Sequence, residues 1–290
     1  MKHRRRVFGT LLCAPWLLTL CVFWLFPLFY SLYLSGTDYS LLRSDYTWIG
    51  FANYTNLLSD PAFQSALKNT FVFTLGTIPA TQLIAIFLAL LVNRQFAGRN
   101  FFRSAFFVPS VTSLVVVSLI FTHLFSQQGY VATLAAAIGI DTPPNGYLLN
   151  SGTALYAIMV MDVWMAVGYY MLLMLAGLKS IPEELYETAE LAGAGAIRKF
   201  FTITLPLLRP MIAFCLVVNC IKSFQVFVEI YVMTKGKYNT STAVWHIYET
   251  GLTRFKFGEA SAAAYILVAI IAVFSIAQFW ILRSRQELTR

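Results

Sequence analysis

Two groups of residues in this 290-residue chain have types and spacing suited to chemistry. The first lies within apolar runs: Asn219, Lys222, Ser223, Gln225 and Glu229 in one, and Asp162, beside Trp164, in an earlier one. Ionisable and amide side chains at membrane depth are costly, and they mark pathways or obligate partners. On a helix, Asn219, Ser223 and Val226 recur at i, i+4 and i+7 and share a face. Lys222, Gln225 and Glu229 form the adjacent stripe. Such a set binds and releases a polar solute; it does not make or break bonds. Two roles stay open for the charges, since Lys222 and Asp162 can pair with one another or contact a solute. Tyr169 and Tyr170 offer a stacking face, although packing and interfacial belts also use aromatics.

The second group is the stretch Lys179-Ser-Ile-Pro-Glu-Glu-Leu-Tyr-Glu-Thr-Ala-Glu-Leu-Ala-Gly-Ala-Gly195. Ser180 and Glu183 have capping-box spacing, and Pro182 suits a first helical turn. Glu183, Glu184 and Glu187 favour the positive end of the helix dipole. Gly193 and Gly195 can end the helix with left-handed backbone angles. A second short segment, Ala196 to Thr204, then leads to Leu205-Pro206. The expected unit is a helix, a glycine turn and another helix, which can be a plain connector or a docking element.

Several chemistries are missing. There is no Gly-x-x-x-x-Gly-Lys-[Ser/Thr] phosphate loop, no His-Glu-x-x-His and no Gly-x-Ser-x-Gly elbow. No intramembrane run of acids suits a proton relay. Cys13, Cys21, Cys215 and Cys220 sit in apolar runs without metal-site spacing, so they read as small hydrophobes. His3, His123 and His246 are too scattered to form a local ligand motif. No metal or catalytic site is expected, and any work performed must draw energy from a partner.

The elements that position these groups follow from composition. The chain is 58% hydrophobic and 12% charged, with a mean hydropathy of +0.68, against about 25% charged residues in soluble domains. So little charge cannot cover a water-facing surface, so lipid is the expected solvent. The net charge of +8 falls in short clusters beside apolar runs, which argues for membrane orientation and against nucleic acid. Crossing a bilayer takes about 20 apolar residues in a helix. Six segments meet this test, at about 9–34, 70–93, 104–127, 153–178, 207–233 and 260–282. Pro27, Pro79 and Pro109 fall inside the first three. The apolar run after the basic N-terminus is too long for a signal h-region and is expected to remain as an anchor. Assigning Lys and Arg to alternate sides puts 14 on one and 6 on the other, with Lys222 inside a span. By the positive-inside rule both termini and the 179–206 loop are cytoplasmic. A single all-α membrane domain over 1–290 is expected.

The spacing in that loop carries a family resemblance. Glu187-Thr188-Ala189, then Gly193, then Ile203-Thr-Leu205-Pro206 resembles the EAA loop of binding-protein-dependent ABC importer permeases. Thr188 is the one departure, where alanine is usual. Phe26-Pro27 through Tyr33, Phe51-Ala-Asn53-Tyr54, Ala66-Leu-Lys-Asn69-Thr70 and Leu175-Ala-Gly-Leu178 resemble the carbohydrate-type permeases. Thr234-Lys-Gly236 falls where that type often has Thr-x-Gly-Gly-Pro, but Lys237 and Tyr238 replace the final Gly and Pro. The resemblance implies a type I importer architecture and a bacterial inner-membrane location. It also implies a second homologous permease subunit, two ATP-binding subunits and an extracytoplasmic solute-binding protein. ATP and magnesium would be held by the ATPase partner, with no cofactor in this chain. Glu187, Thr188, Ala189, Gly193, Ile203, Leu205 and Pro206 would contact that ATPase. Asn219 and Ser223 would meet the sugar, with Lys222, Gln225 and Asp162 nearby. A glycerol-phosphate permease shares the architecture; rivals outside it are an ATPase-independent secondary transporter and a membrane scaffold.

Overall fold

The computed structural model describes residues 13–43 and 45–287. The basic N-terminal residues and Arg290, which entered the charge count, lie outside that range. Among the described residues, regular structure is helical, apart from one isolated antiparallel bridge between Thr37 and Trp48. Five helical stretches among the described residues are long and apolar enough to cross a membrane: Cys13–Ser35, Pro61–Asn93, Ala154–Lys179, Ala196–Met233 and Phe257–Gln278. A backbone in hydrocarbon must satisfy its own hydrogen bonds, and a helix does so within one segment.

The expected third span, 104–127, is not one straight helix. Helices Arg99–Val111 and Leu114–Leu124 meet at 96° across a short break. Pro109 lies in the last turn before that break, and Thr112 takes an extended ψ of 151°. Counted as one broken span, the pair brings the total to six. The expected fifth span also differs. Its helix Leu205–Phe224 stops, and a separate helix Val228–Met233 follows after Gln225, Val226 and Phe227. Phe227, at φ −147° and ψ −54°, has left helical geometry altogether. The polar residues at the breaks, Thr112, Ser113 and Gln225, are uncharged and sit inside long apolar runs, so hydropathy averaged over a span does not reveal either break.

The chain forms two compact units, one of Met1–Gln64 with His246–Val268 and one of Ser65–Trp245 with Ala269–Arg290. In the first, Asn53 explains the Phe51-Ala-Asn-Tyr motif. Its buried amide donates to the carbonyls of Ser35, at 2.9 Å, and Thr37, at 2.7 Å, closing the end of the first span. The Tyr54 hydroxyl lies 2.8 Å from Ser35 Oγ beside it.

In the second unit, Asn69 does comparable work. Its amide donates to the carbonyls of Asn239, at 3.0 Å, and Ser241, at 2.9 Å. These bonds pin a turn in which Lys235, Tyr238 and Asn239 all take positive φ near +55°. Thr234 and Thr240 join their hydroxyls across the turn at 2.6 Å. Non-glycine residues in that region cost roughly 1–2 kcal/mol each, so the turn depends on its tethers. Asn69→Ala removes two hydrogen bonds to part-buried carbonyls and is expected to destabilise the protein by about 1–2 kcal/mol. Thermal unfolding in detergent should register that as a lower midpoint.

The core of this unit is a close helix crossing. Helix Arg99–Val111 packs on Ala154–Lys179, and a Cβ at Gly168 would run into the Phe106 carbonyl. Small residues that let backbones approach are typical of helix interfaces in membranes. Gly168→Ala is expected to cost about 1–3 kcal/mol through overpacking, again read as a lowered unfolding midpoint.

Candidate functional site

The connection between the fourth and fifth spans folds as helix Glu183–Leu191, a turn, helix Ala196–Lys199 and a π-turn Phe200–Thr204 running into Leu205–Phe224. The expected capping box does not form. Pro182 occupies the N-cap position, and no side-chain bond caps the helix. Ser180 instead turns its hydroxyl back to the Gly177 carbonyl, 2.7 Å away, because it still belongs to the end of the preceding helix.

Gly193 takes the left-handed conformation at φ +72°, and Gly193 and Ala194 donate to the carbonyls of Glu190 and Ala189, each at 2.9 Å. This closes the helix as a left-handed C-terminal turn does. Gly195 departs from expectation: at φ −69° and ψ 167° it is extended and begins the next helix. One left-handed residue suffices to reverse the chain. Glu190 and Lys199 form an ion pair across the turn.

This helical pair has two unlike faces. Tyr186 and Ile203 pack into the core cluster built around Leu178, Ile181 and Leu208. The Tyr186 hydroxyl meets Thr204 Oγ1 at 3.0 Å, tying the first helix to the base of the fifth span. Leu185, Leu191, Ile197 and Phe201 face outward, with Leu191 91% and Ile197 77% exposed. Glu187 and Thr188 are exposed, Ala189, Ile203, Leu205 and Pro206 half-buried, and space around Gly193 is open. Spacing alone finds Glu187, Gly193 and Pro206. It does not find Tyr186 and Thr204, which anchor the element.

The second constellation is a cavity of about 380 Å³ within the second unit. Asp162, Asn219, Lys222, Ser223, Gln225 and Glu229 all line it, so residues far apart in sequence converge. The breaks noted above produce this geometry. One of them turns Gln225 to Glu229 out of the helical line of Asn219 and Ser223, and Ser110 stands just before the 96° bend. Asn219 and Ser223 are 3% and 4% exposed. The Ser223 hydroxyl donates to Asn219 Oδ1 at 3.4 Å and lies 3.3 Å from Thr77 Oγ1. Asn219 Nδ2 and the Tyr170 hydroxyl are buried with no hydrogen-bond partner among the described residues. Orphaned donors of this kind cost about 1–3 kcal/mol each.

Lys222 does not pair with Asp162. Among the described residues no ion pair joins Lys222 to an acid; its ammonium sits over the Tyr169 ring, 4.9 Å from the centroid. Tyr169 is itself positioned by Ser110, a residue that sequence reasoning missed. The Ser110 hydroxyl accepts the Tyr169 backbone N–H at 3.0 Å and donates to the Met165 carbonyl at 2.7 Å. It thus inserts into the helical ladder of Ala154–Lys179. A serine following a mid-span proline is the one sequence sign of it.

Comparison with known proteins places this architecture. Residues 82–286 match the family described as the binding-protein-dependent transport system inner membrane component. The lactose transport system permease protein LacF of Rhizobium radiobacter is 34% identical over 295 residues, covering 99% of this chain and 97% of that protein. The arabinooligosaccharides transport system permease protein AraP of Bacillus subtilis is 31% identical, over 92% of this chain and 85% of that one. Among solved structures, a bacterial ABC transporter that imports the acidic polysaccharide alginate superposes with a TM-score of 0.84 at 24% identity, covering 98% of this chain and 96% of that one. This chain belongs to the family of binding-protein-dependent transport system inner membrane components, as an ABC importer permease with, among the described residues, five helices long and apolar enough to span and a sixth, broken pair.

Proposed function

We propose that the chain is the permease subunit of an ATP-driven importer of sugars or oligosaccharides. In this reading the 380 Å³ cavity is its share of the passage, and the 183–206 helical pair receives the stroke of a separate ATPase. The observation that carries the reading is that pair: an apolar outward face, a left-handed Gly193 with open space around it, and a buried root at Tyr186 and Thr204. Pairwise closure of the ATPases would push the helices as a rigid body and rock the spans attached to them. The full assembly is two permeases, two ATPases and one solute-binding protein. Both termini and the 183–206 loop lie in the cytoplasm, in keeping with the positive-inside count. The chain hydrolyses nothing itself; ATP and magnesium belong to the ATPase.

A sugar cargo is supported by near full-length similarity to permeases named for lactose and arabinooligosaccharides. It also fits a cavity lined by amide, hydroxyl and carboxyl groups beside the Tyr169 ring. Glycerol phosphate fits less well, because Lys222 is the one cationic side chain in the lining. The test is ATP-dependent uptake by the complete importer in proteoliposomes, across a panel of neutral oligosaccharides and glycerol phosphate. Uptake of at least one oligosaccharide that requires ATP and the solute-binding protein is expected. Uptake that proceeds without ATP would refute the reading.

A further inference from the structure

The turn between helices Pro61–Asn93 and Arg99–Val111 carries positive charge with nothing to balance it. Arg94, Arg99 and Arg103 fall within ten residues, and the chain holds no Asp or Glu anywhere from residue 61 to 140. Arg103 has a structural task. Its Nη2 donates to the Val92 carbonyl at 2.7 Å and its Nη1 to Asn100 Oδ1 at 3.4 Å, which ties the end of the long helix to the start of the next. Arg94, exposed, and Arg99, half-buried, have no such task. Among the described residues no ion pair and no side-chain hydrogen bond engages either guanidinium. The same turn presents aromatic rings. Phe102 contacts Phe96, Phe101 and Phe106, with ring centroids 5.9, 5.7 and 6.3 Å away. Phe106 packs into the core cluster and holds this row in place, while Phe101 is 72% exposed.

We propose that Arg94 and Arg99, with the row Phe96, Phe101 and Phe102, form a binding site for the phosphate of an anionic phospholipid headgroup. The turn follows a helix long and apolar enough to span, so it falls at the border of the hydrocarbon. A bilayer surface matches both of its features at once. Aromatic rings settle at headgroup level, and arginines beside a span are drawn to anionic lipid. A planar guanidinium also grips two phosphate oxygens together, which makes the contact more than a diffuse attraction. Arg103 and Phe106 hold the turn from beneath, so the two unpaired arginines are carried on a fixed base. The site goes beyond the transport reading and depends on neither the cargo nor the ATPase.

Photo-crosslinking from the turn itself tests this. The complete importer, with the exposed Gln95 replaced by p-benzoylphenylalanine, is reconstituted in vesicles of equal parts phosphatidylglycerol and phosphatidylcholine. Lipid adducts on the turn are then counted by mass spectrometry. Each arginine near the surface favours anionic lipid about fivefold, so phosphatidylglycerol adducts are expected to outnumber phosphatidylcholine adducts by about twentyfold or more. R94Q/R99Q should lower that ratio at least about tenfold, whereas R94K/R99K, which keeps the charge, should retain most of it. Raising salt from about 0.1 M to about 1 M shortens the screening length from about 10 Å to about 3 Å. The ratio should shrink with it while both arginines are intact, a readout that needs neither double variant to fold. A ratio near one at low salt overturns the site. An elevated ratio that R94Q/R99Q or salt leaves unchanged overturns its assignment to these arginines. Inorganic phosphate that abolishes the preference, where chloride at equal ionic strength does not, would make this a site for a soluble anion and overturn the lipid assignment. Adducts to another subunit in place of lipid would overturn it as well. ATP-dependent uptake is measured on the same vesicles, so failure of this site and failure of the transport reading are told apart.

Discussion

Gly193→Trp is expected to abolish ATP-driven uptake, by more than about a hundredfold, while the protein still inserts and is isolated at normal yield. Nothing lies within 4 Å of a Cβ built at Gly193, so the new side chain leaves the backbone into open space. Its intrinsic penalty is the positive φ of +72°, about 1–2 kcal/mol for a non-glycine residue. A folded membrane protein tolerates that. The larger cost falls on the docked partner, because an indole at the apex of the turn keeps the apolar face of Leu191 and Ile197 from seating. Losing two such anchors at roughly 2 kcal/mol each is a factor of about a thousand in association. Gly193→Ala separates the two effects. It carries the same backbone strain with little bulk and is expected to retain most uptake. Pull-down of the ATPase by each variant gives the readout. If Gly193→Ala abolishes association as fully as Gly193→Trp, the backbone angle and not the bulk is responsible.

The second large effect is expected at the cavity. Ser223 is 4% exposed and sits between Asn219 and Thr77. Ser223→Trp adds a ring to a space of about 380 Å³, enough to obstruct a sugar while leaving the 183–206 helices untouched. Uptake is expected to fall more than about twentyfold, with ATPase association unchanged. Some strain in packing is also expected, about 1–3 kcal/mol, so the association readout matters: retained assembly with lost uptake is the signature of a blocked passage. Normal uptake in a well-assembled Ser223→Trp complex would place the passage elsewhere. Asn219→Leu is the milder companion. It removes the orphaned amide along with a hydrogen bond, and is expected to weaken uptake without affecting assembly.

Much of this molecule is legible in the sequence, because a lipid solvent leaves few options. Apolar runs long enough to span must be helices, and the spacing from Glu187 to Pro206 needs no knowledge of packing to be noticed. The positions of Asn219 and Ser223 on one face follow from helical period alone. What periodicity misses are the places where the chain leaves the helix. Thr112, Ser113 and Gln225 are uncharged and too few to interrupt long apolar runs, yet the breaks at these positions let Asp162 and Glu229 line the same space. The helix start at Glu183 shows the opposite failure. Ser180 has the spacing for a capping box, but the preceding helix holds on to it. Local signals compete, and tertiary context decides between them. Ser110 and Tyr186 carry no sequence signature beyond their polarity, since their importance lies in partners 59 and 18 residues away.

The central claim is that this chain is driven through its 183–206 helical pair by a separate ATPase. The most direct test is isolation of the intact complex in mild detergent, with subunits identified by mass spectrometry. An ATP-binding subunit at two copies per two permeases is expected, lost on Gly193→Trp. A transport-competent complex that contains no ATPase subunit would contradict it.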